Sequence, residues 1–290
     1  MGKTLNNELN DPACISASNK KVKKRRKRKK SVPIITSIIF SVQRLKPDVI
    51  SKLHQLNKKV ELIKKQETID KALKKAKLAS LENEIKQIGG LSVYQTVSKT
   101  REHFHGNVNS SKWIISSLKT FASKSEVKLR LLDVGALSMN YENQASWLQC
   151  TYIDLNPQKK GILKSDFLKF KSGAMEEYDI IVLSLVLNFP GDAQVRGQML
   201  VKATELCKTC GYIFVVLPLA CLSNSRYLTH DNFHVMMESL GHSLIASHNS
   251  TKLSHKAFRK KSRLPEKCDF PKKVVQPGGN KNNFCIVLQT

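Results

Sequence analysis

Asp133, Gly135 and Asp154 stand at spacings that suit an adenosine-bearing cofactor. In RLLDVGALSMNYENQASWLQCTYID (130–154), one apolar run ends at Asp133 and Gly135. A second ends at Asp154, nineteen positions after the glycine. A carboxylate at the end of a strand can accept charge-assisted bonds from both ribose hydroxyls. A glycine at the preceding turn lets the backbone approach the cofactor and adopt positive φ. The turn reads DVGALS and lacks the GxGxxG that close approach to a pyrophosphate requires. A cofactor without pyrophosphate therefore fits, and S-adenosylmethionine is the candidate. Asp133 would orient the turn or reach the cofactor's amino group through water. Asp154, which precedes Asn156-Pro157, also reads as a turn residue.

Two further groups follow. Ser165-Asp166-Phe167-Leu168 lies about a dozen residues beyond Asp154, where a third strand would bring an acid and an apolar residue to the adenine. Asp166 would accept from the adenine amino group, and Phe167 reads either as cover for the ring or as core. Ser184 to Pro190, SLVLNFP, ends the strand that should face the transferable methyl group. Asn188, Phe189 and Pro190 are the candidate catalytic residues: a polar group for an exocyclic amino group, and a ring to stack on a base. A plain strand-to-helix turn is the competing reading. An adenine ring nitrogen attacks with an in-plane lone pair and needs only to be held in line at about 3 Å. Its product is cationic, so carbonyls or an acid such as Asp192 would stabilise it.

Four apolar runs must position these groups: 130–134, 148–154, 180–190 and 212–218. They alternate with helix-length segments, including one expected between Gly135 and the second run, and AQVRGQMLVKATELC after Asp192. Continuous apolar runs mark parallel strands buried on both faces. The fold class is α/β, a doubly wound Rossmann-like methyltransferase sheet with an N-terminal helical extension. Ligands bind such sheets outside the carboxyl ends of the strands.

The chain has 290 residues and a formal charge of +26, and the charge is unevenly spread. Residues 1–90 hold 23 Lys/Arg against 8 Asp/Glu, whereas residues 131–250 hold 9 against 11. In Lys20–Lys30, KKVKKRRKRKK, only Val22 is not basic. That run is expected to be disordered when free, and to serve as a nuclear or nucleolar address, an RNA-contacting tail, or both. VPIITSIIFSV (32–42) is too short to span a bilayer, which takes about 20 residues. It reads as a buried strand or short helix. From Pro47 to Ile88 apolar residues recur at helical spacing, out of phase after Ile63 and stopped by Gly89-Gly90. Such a helix either packs on the sheet or presents lysines to RNA. The expected organisation is a basic tail over 1–31, a helical extension over 32–90 and a methyltransferase domain over 91–290 with a basic insertion at 251–273. That insertion would lie before a last strand, NNFCIVLQ, and offer a grip on RNA.

Seven cysteines at irregular spacing suit a reducing compartment. Cys207 and Cys210 form a CxxC without a second pair, and His103 and His105 have no neighbouring acid or cysteine at ligand spacing, so no metal site is expected.

Several strings go beyond the general pattern: Tyr94-Gln95 with Ser98, Ser110-Ser111-Lys112, LPLACLSNSRYLT (217–229) and GGNKNNFCIVL (278–288). With LLDVG, YIDLNP and SDFL, they make residues 90–290 resemble the fungal nucleolar adenine-N1 methyltransferases of 25S ribosomal RNA. The resemblance implies S-adenosylmethionine as methyl donor, large-subunit ribosomal RNA as partner, N1-methyladenosine as product and a nucleolar location. It implies cofactor contacts at Gly135 and Asp154, supported by Asp166, Phe167 and Ser184. Tyr94, Gln95, Ser98 and Ser110-Ser111-Lys112 would close over the cofactor. Animal relatives look like S-adenosylmethionine sensors, so a non-catalytic cofactor-binding regulator is the alternative. The basic tail favours the RNA enzyme, since a sensor needs neither it nor a base pocket.

Overall fold

The computed structural model describes residues 46–90, 92, 95, 110–121, 127–171, 178–261 and 269–289, with Lys46–Ser51 described by backbone alone. The basic run at 20–30, VPIITSIIFSV, Tyr94, Ser98, His103 and His105 lie outside them. In chain order the helices are α1 (Lys46–Lys65), α2 (Lys71–Gln87), α3 (Ser110–Phe121), α4 (Ala193–Leu206), α5 (Ala220–Ser223) and α6 (His230–Ser239). The strands are β1 (Leu129–Val134), β2 (Leu148–Asp154), β3 (Leu163–Lys164), β4 (Tyr178–Ser184), β5 (Cys207–Pro218), β6 (His242–Asn249), β7 (Leu253–Lys260), β8 (Asp269–Phe270) and β9 (Leu288–Gln289).

Seven strands form one sheet in the order β3-β2-β1-β4-β5-β7-β6. Neighbours from β3 to β5 run parallel, and β7 is antiparallel to both β5 and β6. The apolar runs become β1, β2, β4 and β5 because each strand buries side chains on both faces, alternating along the chain. Leu132, Val134, Ile181, Leu183, Ile213 and Val215 face one layer, which holds residues of α4 and α6 with Phe284, Ile286 and Leu288. Leu131, Ile180, Val182 and Phe214 face the other, with Ile114 and Leu118 of α3 and with Tyr141 and Tyr152. The expected doubly wound sheet is therefore present, with helices on both faces.

Three expectations change. No α-helix connects β1 to β2: the connection holds only a 3₁₀ turn, Glu142–Gln144. GALSMNYENQASW is too short and too weak in helical periodicity to lay a full helix on the sheet, and buried Tyr141 and half-buried Trp147 cover that place instead.

The second change is at 251–273, which is no insertion in its first half. Leu253–Lys260 is the central antiparallel strand β7, and Lys256 and Lys260 are each only 2% exposed. The Lys260 ammonium donates to the carbonyls of Thr204 (2.8 Å) and Cys207 (2.7 Å). Those carbonyls end α4, where the helix dipole is negative and acceptors lack partners. The Lys256 ammonium lies 2.8 Å from His234 Nε2. Burial pushes its pKa down to about 8.

The third is NNFCIVLQ. Only Leu288–Gln289 is strand, paired with β8 in a separate two-stranded ribbon.

The N-terminal extension is a helical hairpin. Leu56 and Val60 of α1 pack against Leu81 of α2, with Ile63, Leu78 and Ile85 around them. The phase break after Ile63 is the inter-helix turn. Asp70 caps α2 by accepting from the amides of Ala72 and Leu73. Lys74 Nζ donates to the carbonyls of Lys64 and Gln66 at the end of α1.

Candidate functional site

β1 lies between β2 and β4, so the chain leaves it toward one side of the sheet and returns on the other. The crevice beyond its carboxyl end is where such sheets take ligands. Gly135 sits at that end with φ +73. A Cβ built on it would meet Val186 Cγ1 at 2.2 Å, so the turn after β1 and the loop after β4 converge on a position that only glycine fills without displacement. The amides of Gly135 and Ala136 both donate to the Ile153 carbonyl, at 2.8 and 3.0 Å. This ties the turn to β2.

Asp154 ends β2 beside it. Its Oδ1 accepts from Gln95 Nε2 at 2.8 Å and from the Asn156 amide at 2.7 Å. Gln95 also donates to the Asn156 carbonyl and accepts from Asn156 Nδ2, each at 3.0 Å. The turn role and the site role of Asp154 therefore coexist: the turn bond fixes the carboxylate, and buried Gln95 clamps it from the N-terminal side. Asp133 is 6% exposed. It lies on the Tyr152 face of the sheet, and its charge contributes to raising the pKa values of Cys150 and Tyr152 behind the larger effect of burial.

Asp166 caps the 3₁₀ turn Phe167–Lys169, accepting from the Leu168 amide at 3.0 Å. Phe167 is 5% exposed and belongs to the main core, so its ring is packing. Of the two readings of Phe167, its burial favours core, with its backbone left to border a ligand. Ser184, at the end of β4, shares a 2.9 Å hydroxyl contact with Ser110, the first residue of α3. The Ser110-Ser111-Lys112 string thus opens a helix whose amino end meets the crevice.

The loop after β4 is held from several directions. Leu185 has φ 59, a conformation that costs a bulky residue about 1–3 kcal/mol and is typical of ligand-binding turns. Asn188 Oδ1 is buried with no hydrogen-bond partner among the described residues. Arg196, one turn into α4, donates to the Pro190 carbonyl from Nε (3.0 Å) and Nη2 (2.7 Å). Its Nη1 donates to the Cys285 carbonyl, and its guanidinium lies 4.6 Å from the Phe284 ring centroid. On the opposite side, the His54 ring of α1 meets Phe189 edge-on at 6.3 Å. Burial, and then the Arg196 charge, lowers the His54 pKa, so this imidazole is neutral at pH 7. Asp192 is committed elsewhere: it caps α4 through the Gln194 amide (3.0 Å) and pairs with Lys65 at 2.7 Å.

The strings that set this chain apart meet in space. The Asn282 amide donates to the Asn224 carbonyl, and the Arg226 amide to the Asn282 carbonyl, both at 2.9 Å. Asn282 Nδ2 donates to the Ala220 carbonyl, Arg226 Nη1 to Asn283 Oδ1, and Ser225 Oγ to the Phe284 carbonyl. LSNSRYLT and GGNKNNF are two halves of one clasp, which delivers Phe284 and Cys285 to Arg196. Sequence reasoning missed Arg196 and His54, because neither lies in a motif and each acts on the loop from another element. Among the described residues, no group of three His, Cys, Asp or Glu could hold a metal ion. Nor is any helix among those residues long and apolar enough to cross a membrane.

Residues 79–286 match the family described as 25S rRNA (adenine(2142)-N(1))-methyltransferase, Bmt2. The 25S rRNA (adenine(2142)-N(1))-methyltransferase of Saccharomyces cerevisiae is 31% identical over 246 residues, which cover 82% of this chain and 71% of that one. The 25S rRNA adenine-N(1) methyltransferase of Schizosaccharomyces pombe is 27% identical over 221 residues, covering 72% and 81% respectively. Among solved structures, the 1,6-didemethyltoxoflavin-N1-methyltransferase of Burkholderia thailandensis aligns with 59% of this chain and 88% of its own, at 11% identity and a TM-score of 0.44. The family match takes in β1 to β7, the crevice and both halves of the clasp, and on that span this chain belongs to the 25S rRNA adenine-N(1) methyltransferase family.

Proposed function

We propose that this protein transfers a methyl group from S-adenosylmethionine to N1 of an adenine in large-subunit ribosomal RNA during ribosome assembly. The observation that carries the base-binding part is Asn188 Oδ1, a buried acceptor without a donor among the described residues, in the loop that meets Gly135 through Val186. An orphaned acceptor costs about 1–3 kcal/mol unless a ligand fills it. The exocyclic amino group of an adenine, adjacent to N1, is a donor of the required kind.

S-adenosylmethionine, when bound, supplies a methyl group already activated on its sulfonium. Gly135 leaves room for the cofactor chain, and Asp154 takes the ribose hydroxyls while Gln95 holds it in place. Asp166 and the Phe167 backbone border the adenine end, and Ser184 with Asp133 lines the β1/β4 side. The chemistry the bound donor would supply is transfer of its methyl group to the N1 lone pair, with the bonding electron pair left on the donor. No proton leaves N1, so no general base is needed. The burden falls on Asn188, Phe189 and Pro190 to hold the base in line. Carbonyls near the base would stabilise the cation that forms. The basic run Lys20–Lys30 supplies the nucleolar address.

The test is mass-spectrometric quantification of N1-methyladenosine in large-subunit ribosomal RNA from cells with and without the protein. Loss of the modification, restored by wild type and not by Asp154→Ala, supports the reading. Unchanged modification alongside measurable S-adenosylmethionine binding would favour a cofactor sensor.

A further inference from the structure

Of the 20 residues of α1 and 17 of α2, all of α1 and about half of α2 precede the matched span 79–286. The hairpin nevertheless sits on the acceptor loop. Lys65 pairs with Asp192 at 2.7 Å and donates to Gln194 Oε1 at 2.9 Å. His54 touches Phe189. A Cβ on Gly191 would meet the Asn57 carbonyl group and Lys58 Cα at 3.0 Å, so the helix backbone lies directly on the loop. One side of α1 is thus spent on the acceptor loop, and another is buried against α2.

The remaining surface is basic. Residues 46–88 carry eleven lysines against six acids. Lys64, Lys65 and Lys74 are engaged in ion pairs or helix-end bonds. Lys52, Lys58, Lys59, Lys75 and Lys77 are exposed and have no ion pair among the described residues. Lys52 and Lys59 lie two turns apart on one face of α1, about 10 Å along the axis. Lys59 and Lys77 flank a shallow cleft between the helices, floored by Leu62, Ile63 and Leu81. Long lysine stems can cover such an apolar floor while the ammonium groups stay in water. Lysines held on a rigid hairpin suit a polyanion that follows the surface.

We infer that the α1–α2 hairpin is an RNA-docking arm. Through Lys52, Lys59 and Lys77 it binds the phosphate backbone of the ribosomal RNA next to the target adenine, and through α1 it sets that backbone beside the Asn188–Pro190 loop. The inference rests on the methyltransferase reading for the identity of the RNA, and not for the existence of a phosphate-binding surface. Contacts of this kind position an RNA without reading its bases. They therefore predict affinity that depends on salt and varies little with sequence.

The experiment uses the full chain and fragments of large-subunit ribosomal RNA. It compares wild type, a Lys59→Gln/Lys77→Gln double variant and a control, Lys119→Gln/Lys128→Gln. The control removes the same charge from exposed lysines at the end of α3 and the start of β1, remote from the crevice. RNA affinity is measured against salt concentration, S-adenosylmethionine affinity by calorimetry, and methyl transfer under single turnover. The hairpin variant should lose RNA affinity and show a log–log salt slope shallower by about two. Its cofactor affinity should be unchanged, and methyl transfer should recover at high RNA concentration. The control should follow wild type. A salt slope unchanged in the hairpin variant, or reduced equally in the control, overturns the inference, and a protein partner would then be the better occupant of the cleft. If wild type forms no N1-methyladenosine yet the slopes differ as expected, the methyltransferase reading fails and the docking arm stands.

Discussion

The guanidinium of Arg196 holds the carbonyl of Pro190 with two donors, at 3.0 and 2.7 Å, while a third donor reaches Cys285, 89 residues further along the chain. One side chain thus fastens the acceptor loop to the C-terminal segment. Arg196→Ala leaves two carbonyls without donors, at about 1–3 kcal/mol each, and Phe284 without its cation. Arg196→Lys keeps the charge but loses the fork. The lysine variant should fold, bind S-adenosylmethionine as wild type does, and lose kcat by on the order of 10²-fold as the loop shifts. Single-turnover rates beside calorimetric cofactor affinity measure this. A normal rate in the lysine variant would show that the loop keeps its place without the fork.

Asp154 and Gln95 form a second pair whose roles can be separated. Asp154→Ala removes the carboxylate itself and should weaken S-adenosylmethionine by about 1.5–3 kcal/mol, roughly 10- to 150-fold in Kd. Gln95→Ala leaves the bond from the Asn156 amide to the carboxylate in place and should weaken the cofactor less. Equal losses in the two variants would mean that Gln95 contacts the cofactor directly.

Gly135 is constrained twice, by φ +73 and by the 2.2 Å approach of Val186 Cγ1 to a Cβ. Even Gly135→Ala should therefore displace Val186 and weaken cofactor binding, and Gly135→Arg should abolish it. The clash is with a side chain, so Gly135→Ala/Val186→Ala should recover part of the affinity, leaving the cost of the positive φ, about 1 kcal/mol. No recovery in the double variant would place the cost in the backbone alone.

β1, β2, β4 and β5 were legible because each buries side chains on both faces and so reads as an apolar run, as in IIVLS of β4, whereas β3 is two exposed residues. The strand-end residues Gly135, Asp154 and Ser184 were legible for a related reason: the ends of such strands are where the sheet builds its site. β7 was hidden by its own residues, since LSHKAFRK reads as a solvated basic segment. Nothing local reveals that the Lys260 ammonium ends on the carbonyls of Thr204 and Cys207, over 50 residues away. Arg196 and His54 were hidden in the same way. Their partners come from other elements, and a helix sequence does not announce which loop it will meet. The clasp was visible only as two unusual strings, and its meaning appears once Asn282 and Asn224 are brought together by backbone pairing.

His242 gives the stability of the fold a pH dependence that can be read separately from activity. It is 2% exposed, and its Nε2 lies 2.9 Å from Thr204 Oγ1. Burial, and then the charge of Lys260, lowers its pKa to about 3. In the unfolded chain a histidine titrates near 6.5. Between those values the unfolded state binds a proton that the folded state does not, so unfolding free energy rises with pH across this window. Stability is greatest above pH 6.5 and falls on acidification, by up to about 1.4 kcal/mol per pH unit from this group. Lys256 acts with the same sign at higher pH, between its folded value of about 8 and the usual 10.5. Urea unfolding of wild type should therefore show a lower midpoint at pH 5 than at pH 7.5. His242→Gln keeps a partner for Thr204 and cannot titrate, so its midpoint should change much less between those two pH values. A variant that loses as much stability as wild type on acidification would assign the acid sensitivity to other groups.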